Sequence, residues 1–175
     1  MTPPSNPQSR RTLLLGAGLA AVAGLATSWW VSRSQKLSPQ AQQALAQHQF
    51  TLIDGQTLNL TQWQGHPMVL NFWATWCPPC VEEMPLLDAF YRQNSTKGWK
   101  MLGIAIDQPS QVKRFLGQRP VSYDIAFGGL DGTELLKNLG NEAGSLPFSL
   151  VLAADGQLIM SKMGKLSSDD LQKWA

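Results

Sequence analysis

"MVLNFWATWCPPCVEEMPLLDAFY", Met68 to Tyr91, changes character halfway along. Its opening, Met68 to Ala74, is a run without apolar–polar alternation, the pattern of a strand buried on both faces in the middle of a sheet. From Val81 to Tyr91, Met84, Leu86, Leu87 and Phe90 recur at helical spacing. Between the two patterns stand Cys77 and Cys80, the only cysteines among 175 residues, with Pro78 and Pro79 in the gap. The pair therefore falls at a strand-to-helix junction.

Such a pair can bind a metal, staple a loop or carry out redox chemistry. A structural zinc site needs four ligands, and the remaining candidates, His48 and His66, lie on different predicted elements and read as surface residues. No metal site is expected. A disulfide closing so short a loop removes little chain entropy, so a purely structural staple is a poor reading. Redox chemistry fits the position. A cysteine at a helix start has its sulfur near unpaired backbone N–H groups and the positive end of the helix dipole, which favour the thiolate. Cys80, three residues on, keeps its sulfur on the same side and one turn deeper. Cys77 is expected to attack a disulfide and Cys80 to resolve the mixed disulfide. The redox-active Cys77–Cys80 pair needs no other cofactor.

The two prolines refine the expectation. Pro78 and Pro79 lack N–H groups, so Cys77 has fewer backbone donors than other residues would leave it. Glu82 and Glu83 are expected to bring negative charge into the first helical turn, which disfavours a second anion nearby. Together these favour a moderately stabilised thiolate and a reductant.

Strands and helices alternate elsewhere. "FTLIDGQTLNL" around Asp54-Gly55 reads as a hairpin, "KMLGIAI" as a second buried strand, and "PSQVKRFLGQR" as a helix beginning at Pro109. "SYDIAF" is a weaker strand, and Thr133 to Leu139 a short helix stopped by Gly140. "FSLVLA" and "QLIMSKMG" form a second hairpin, followed by a terminal helix from Ser167. The fold class is α/β with a mixed central sheet.

Residues 1–36 differ from the rest. They hold Arg10, Arg11, Arg33 and Lys36 and no acid, so of fourteen basic residues ten remain against twelve acids in the rest of the chain. No clustered basic surface marks a nucleic-acid binder. Arg10-Arg11 followed by an apolar stretch from Leu13 to Val31 reads as an export signal or N-terminal membrane anchor. "SRRTLL" resembles the twin-arginine signal, with an ordinary positive n-region as the alternative. Ala21-Val22-Ala23 fits a cleavage site. Against cleavage, the stretch can span a core of ~30 Å, and Trp29-Trp30 stand where an interfacial belt would lie. The uncleaved anchor is the preferred reading, in the bacterial inner membrane with the remainder in the periplasm; a cleaved soluble form is the alternative. Ser38 and Pro39 open a short helix or linker over 37–48, and the main domain is expected over 49–175.

"VLNFWATWCPPCVEEMP", with "FTLIDGQTLNL" before it and "GSLPFSLVLAADGQL" after it, closely resembles the exported thioredoxin-like thiol:disulfide oxidoreductases of the TlpA/ResA type. The resemblance runs from about Phe50 to the C-terminus and is least specific over 97–143. It implies a thioredoxin-like fold with an N-terminal hairpin and a central insertion, and a cis-proline at Pro147. The backbone of Leu146 would then pair with an extended substrate strand beside the reactive sulfur. Asn71 stands where cytoplasmic thioredoxins carry a buried proton-shuttling aspartate. Glu83, on the helical face of Cys80 and matching a glutamate of the family, becomes the expected acid/base group for that cysteine. Trp76 is expected to shape the docking surface together with Pro78, Pro79, Leu146 and Pro147, whereas Trp73 reads equally as core.

The implied activity is reduction of disulfide-containing protein substrates, with electrons from a membrane thiol donor. In this family the targets include haem-attachment cysteines of apocytochrome c and copper-site cysteines of respiratory oxidases. "LGNEAGSLP" departs from the family's usual approach to the cis-proline, so substrate choice does not carry over. A disulfide-forming oxidase and a non-catalytic copper chaperone are the alternatives, the latter supported only by Met84 near the pair. A peroxidase would usually carry threonine three residues before its reactive cysteine, where this chain has Ala74.

Overall fold

The run from Met68 to Trp73 forms a strand in which all six residues are buried, as its lack of alternation requires. In the computed structural model, which describes residues 37–174, this strand is β3 of a seven-stranded sheet. The described elements in chain order are α1 (Pro39–Gln47), β1 (Gln49–Leu52), β2 (Thr57–Asn59), β3 (Met68–Trp73), α2 (Pro78–Asn94), β4 (Lys100–Ala105), α3 (Pro109–Gln118), β5 (Asp124–Phe127), α4 (Gly129–Asn138), β6 (Phe148–Leu152), β7 (Leu158–Met163) and α5 (Ser168–Gln172). A 3₁₀ turn over Leu60–Trp63 follows β2.

The sheet order is β2-β1-β5-β4-β3-β6-β7. Strands β3, β4 and β5 run parallel, while β1, β6 and β7 each pair antiparallel with their neighbours. The parallel centre places the C-terminal ends of β3 and β4 side by side, where the loops leading into α2 and α3 emerge.

Side chains alternate across the strands and build two cores. Leu70, Phe72, Leu102, Ile104 and Leu150 face one side, beneath Ala41 and Leu45 of α1 and Leu135 and Leu136 of α4. Val69, Trp73, Met101, Ala105 and Val151 face the other, beneath Met84, Leu87 and Phe90 of α2, Val112 of α3 and Leu171 of α5.

Three boundaries differ from the sequence reading. Helix α1, capped by Ser38 Oγ accepting from the Ala41 N–H, shares the core of the sheet: Leu37, Ala41 and Leu45 are buried in it, so it packs as part of the domain beginning before residue 49. Helix α4 begins at Gly129, four residues ahead of Thr133, and the turn it adds includes Gly132, buried with a Cβ position 2.8 Å from Ile106 Cδ1. Glu82 and Glu83 lie in the second turn of α2, since the helix starts at Pro78 and its first turn has no acid. The targeting segment inferred over 1–36 lies outside the described residues.

Candidate active site

Beyond Trp73 the backbone leaves the sheet but stays tied to its neighbour. The Ile106 N–H donates to the Trp73 carbonyl at 2.8 Å, and Asp107 Oδ2 accepts from the Thr75 N–H at 3.0 Å and from its hydroxyl. The Cys77 N–H closes a turn onto the Ala74 carbonyl at 3.2 Å. Asp107 thus fixes the approach to the cysteines from β4, a role that sequence alone hides because the partners lie 32 residues apart.

Cys77 is the N-cap of α2, with Pro78 and Pro79 at its first two positions. The prolines fit where an N–H would have no helical partner, and they leave the amide of Cys80 as the first N–H of the helix. Cys77 and Cys80 form a disulfide with their Cα atoms 5.3 Å apart. Cys77 is 3% exposed and Cys80 fully buried, while Pro78, Pro79 and Trp76 are exposed, Trp76 to 66%. Trp73 is core, its ring 5.5 Å from that of Phe115.

Pairing of Phe72 with Phe148 brings the residue before β6 to the end of β3 from which the cysteine loop departs. That residue is Pro147, and the Leu146–Pro147 bond is cis. Leu146 is half-buried against the core cluster that contains both cysteines. The loop before it is shaped by buried Asn141, whose side chain donates to the Ser145 carbonyl at 2.8 Å and accepts from its N–H at 3.1 Å. The Pro147 carbonyl accepts from the Gly164 N–H at 2.8 Å, where Gly164 has a φ of +87°. Non-glycine residues rarely adopt that conformation.

Beneath the disulfide lies a polar cluster inside the apolar layer. Cys80, Glu83, Met84, Leu87, Phe90 and Asn94 form the buried stripe of α2, so Glu83 occupies a position whose neighbours are mostly hydrophobic. Its side chain has no solvent exposure. Oε1 accepts from Asn71 Nδ2 at 2.8 Å, and Oε2 accepts from the Leu166 N–H at 2.7 Å. Asn71 Nδ2 also donates to Ser149 Oγ at 3.0 Å. Burial pushes the Glu83 carboxyl above its ordinary value; the bonds from Leu166 and Asn71 and the charges of Lys165 and Lys162 oppose that rise without cancelling it.

Cys77, Cys80, Trp76, Pro78, Pro79, Leu146 and Pro147 therefore share one end of the sheet, with Glu83 one turn of helix below Cys80. Ser149, Leu166, Asn141 and Asp107 complete the arrangement and escaped the sequence reading. Helical spacing flagged Glu83, but nothing local signals a partner 83 residues away. Among the described residues, no group of three His, Cys, Asp or Glu is placed to hold a metal ion, and no helix is long and apolar enough to cross a membrane.

The family profile described as Redoxin matches residues 39–173. The thiol-disulfide oxidoreductase ResA of Bacillus thuringiensis subsp. konkukian is 30% identical over 125 residues, covering 71% of this chain and 70% of its own. A thioredoxin-related protein from Neisseria meningitidis serogroup B is 33% identical with a TM-score of 0.61, covering 69% of this chain and 90% of that one. The DsbF structure from MTB, solved in mixed oxidised and reduced forms, is 26% identical with a TM-score of 0.65, covering 74% and 93%. A disulfide across Cys-x-x-Cys at the end of a buried parallel strand, on this fold and with these relatives, makes the chain a member of the Redoxin family and a thiol-disulfide oxidoreductase of the ResA type.

Proposed function

We propose that the protein is an exported disulfide reductase in which Cys77 is the nucleophile, Cys80 the resolving thiol and Glu83 the proton acceptor for Cys80. The observation that carries this reading is the carboxylate of Glu83, fully buried one helical turn beyond Cys80. A buried carboxylate without a cation bound to it is costly, and such groups concentrate where proton transfer is needed.

In the reduced protein, the Cys77 thiolate attacks one sulfur of a substrate disulfide. A mixed disulfide forms and the first substrate sulfur leaves as a thiolate that takes a proton from solvent. Cys80 then passes its proton to Glu83 and attacks the Cys77 sulfur. The Cys77–Cys80 bond forms, the second substrate thiolate leaves, and the proton on Glu83 balances it through solvent. Two electrons reach the substrate, and a membrane thiol donor returns them to the protein. The dithiol is the only redox group this cycle uses; it needs no metal, further cofactor or nucleic acid.

The helix start supports the reducing direction. With Pro78 and Pro79 at its first two positions, the helix can offer the Cys77 sulfur no N–H before that of Cys80, and the Cys77 side chain makes no capping hydrogen bond. The buried carboxylate of Glu83 further disfavours an anion at the cysteines. A thiolate stabilised this weakly makes the dithiol a reductant. Equilibration with glutathione tests the direction; a potential near the oxidising ~−120 mV end would make the protein a disulfide-forming oxidase.

Substrate chains dock across exposed Trp76, Pro78 and Pro79 and pair with the backbone at Leu146, held edge-on by Pro147. The substrates are haem-attachment cysteines of a cytochrome c or copper-site cysteines of a respiratory oxidase. Residues 1–36 export the chain and keep it in the inner membrane facing the periplasm. The full chain carrying Cys80→Ser, expressed for export, should accumulate mixed disulfides through Cys77. Recovery of such partners identifies substrate and direction together, and their absence under both reducing and oxidising growth would count against the reading.

A further inference from the structure

The turn from Gly164 to Leu166, between β7 and α5, touches both halves of the site. Its Gly164 N–H holds the Pro147 carbonyl, and its Leu166 N–H holds Glu83 Oε2. The Leu166 side chain is 2% exposed and points into the core of α2 and α5. Between these anchors, Lys165 faces outward, and its ammonium meets Glu82 Oε2 at 2.7 Å. Adjacent residues of the turn thus grip adjacent glutamates of α2, one inside the protein and one at its surface.

We propose that Lys165 is a positioning residue for proton transfer: by pairing with Glu82 it holds the Leu166 N–H against Glu83 and keeps that carboxylate in its ionised, proton-accepting form. The proposal rests on the assignment of Glu83 as proton acceptor for Cys80. Lys165 and Glu82 are 46% and 62% exposed, and a pair so open to solvent adds little to global stability. Its effect is geometric. An N–H donated to a carboxylate favours the ionised form, so a turn that slackens and lengthens this bond makes Glu83 retain its proton and receive one less readily.

The same turn carries the Pro147 bond, so the shelf that receives substrate and the group that receives the proton share one short segment. Other groups also act on Glu83. Lys162 of β7, paired with Asp170 of α5, and the phenol of Tyr123, just before β5, lie within electrostatic reach, and Asn71 of β3 donates directly. On α2 itself stand Glu82 and Cys80. The Lys165–Glu82 pair is the part of this set that can be altered at the surface without opening the core.

The experiment measures how fast Cys80 resolves a glutathione mixed disulfide on Cys77, against pH, in Lys165→Gln, Lys165→Arg, Glu82→Gln and Glu83→Gln. A positioning role predicts that Lys165→Gln and Glu82→Gln both move the inflection upward, by about half a pH unit, with Lys165→Arg restoring it. Charge alone predicts opposite signs, because removing the anion at Glu82 lowers the pKa of a neighbouring carboxyl. A downward shift in Glu82→Gln, or an unmoved profile in Lys165→Gln, overturns the proposal. Should Glu83→Gln itself keep the wild-type profile, the role of Glu83 fails first and that of Lys165 falls with it. An unchanged Tm in Lys165→Gln separates the effect from loss of fold.

Discussion

The two faces of the sheet are built from alternate residues of the same strands, yet they differ in kind. Leu70, Phe72, Leu102, Ile104 and Leu150 make one face wholly apolar under α1 and α4. The face under α2 interleaves Asn71 and Ser149 with its hydrophobic residues and receives Glu83 from the helix. That face also buries Asn71 Oδ1, Trp73 Nε1 and the Tyr123 hydroxyl without a hydrogen-bond partner among the described residues, and burial drives the Tyr123 phenol well above its ordinary pKa. Each such group costs free energy in a low-dielectric interior. The apolar face supplies stability, and the face beneath the cysteines gives some of it up to bury polar groups.

A cut into the apolar side tests whether the two faces are separable. Leu150 is fully buried at the centre of β6. Leu150→Ala should cost about 2–5 kcal/mol of unfolding free energy, through lost burial and the cavity it leaves. Denaturant titration of the oxidised protein measures this. The reduction potential of the folded fraction should remain that of the wild type; a potential that moved with stability would show that the faces are not separable.

What the sequence discloses follows the same division. Unbroken apolar runs identify β3 and β4, and the Asp54-Gly55 turn identifies the first hairpin, because those signals are local. The placement of both cysteines at a helix start is also local, since the change from strand to helix pattern and a three-residue spacing suffice. Helix α1 was harder to place: its polar composition suits a linker, and only the packing of Leu37, Ala41 and Leu45 brings it into the core. The position of Glu83 on the face of Cys80 could be read from helical period. Its burial could not, because it depends on Leu166, Asn71 and Ser149, brought together only by strand pairing and by the turn after β7.

On the face beneath the cysteines, Glu83 is the group to alter. Glu83→Gln should slow resolution by Cys80 about 10²-fold at neutral pH, the scale of a lost general base. Stability should move the other way. The folded pKa of Glu83 lies above its ordinary 4.5, so its contribution is fully present below that value and is lost as pH rises through the folded pKa. Above this window the wild type carries a buried carboxylate that the glutamine variant lacks. The Tm advantage of Glu83→Gln should therefore be absent near pH 4 and grow toward pH 7, and thermal melts across that range check the sign.

Ser149 offers the smallest and most local test, because it is the immediate neighbour of Leu150 on β6 and faces the other way. Its hydroxyl accepts from Asn71 Nδ2, the amide that also donates to Glu83. Ser149→Ala removes one acceptor and little volume, so its cost should be about 1 kcal/mol, well below that of Leu150→Ala. The kinetic effect should exceed what so small a change in stability suggests. Asn71 Nδ2 carries two N–H donors and gives one to each partner, so without Ser149 the amide loses an anchor and turns more freely away from Glu83, which weakens a bond that favours the carboxylate and moves the Cys80 pH profile upward. Neighbouring residues on one strand would then divide cleanly: Leu150→Ala moves the melting curve and leaves the profile in place, whereas Ser149→Ala moves the profile more than the melting curve. Were Ser149→Ala to act on stability alone, the polar cluster would be a packing detail and Glu83 would titrate independently of β6.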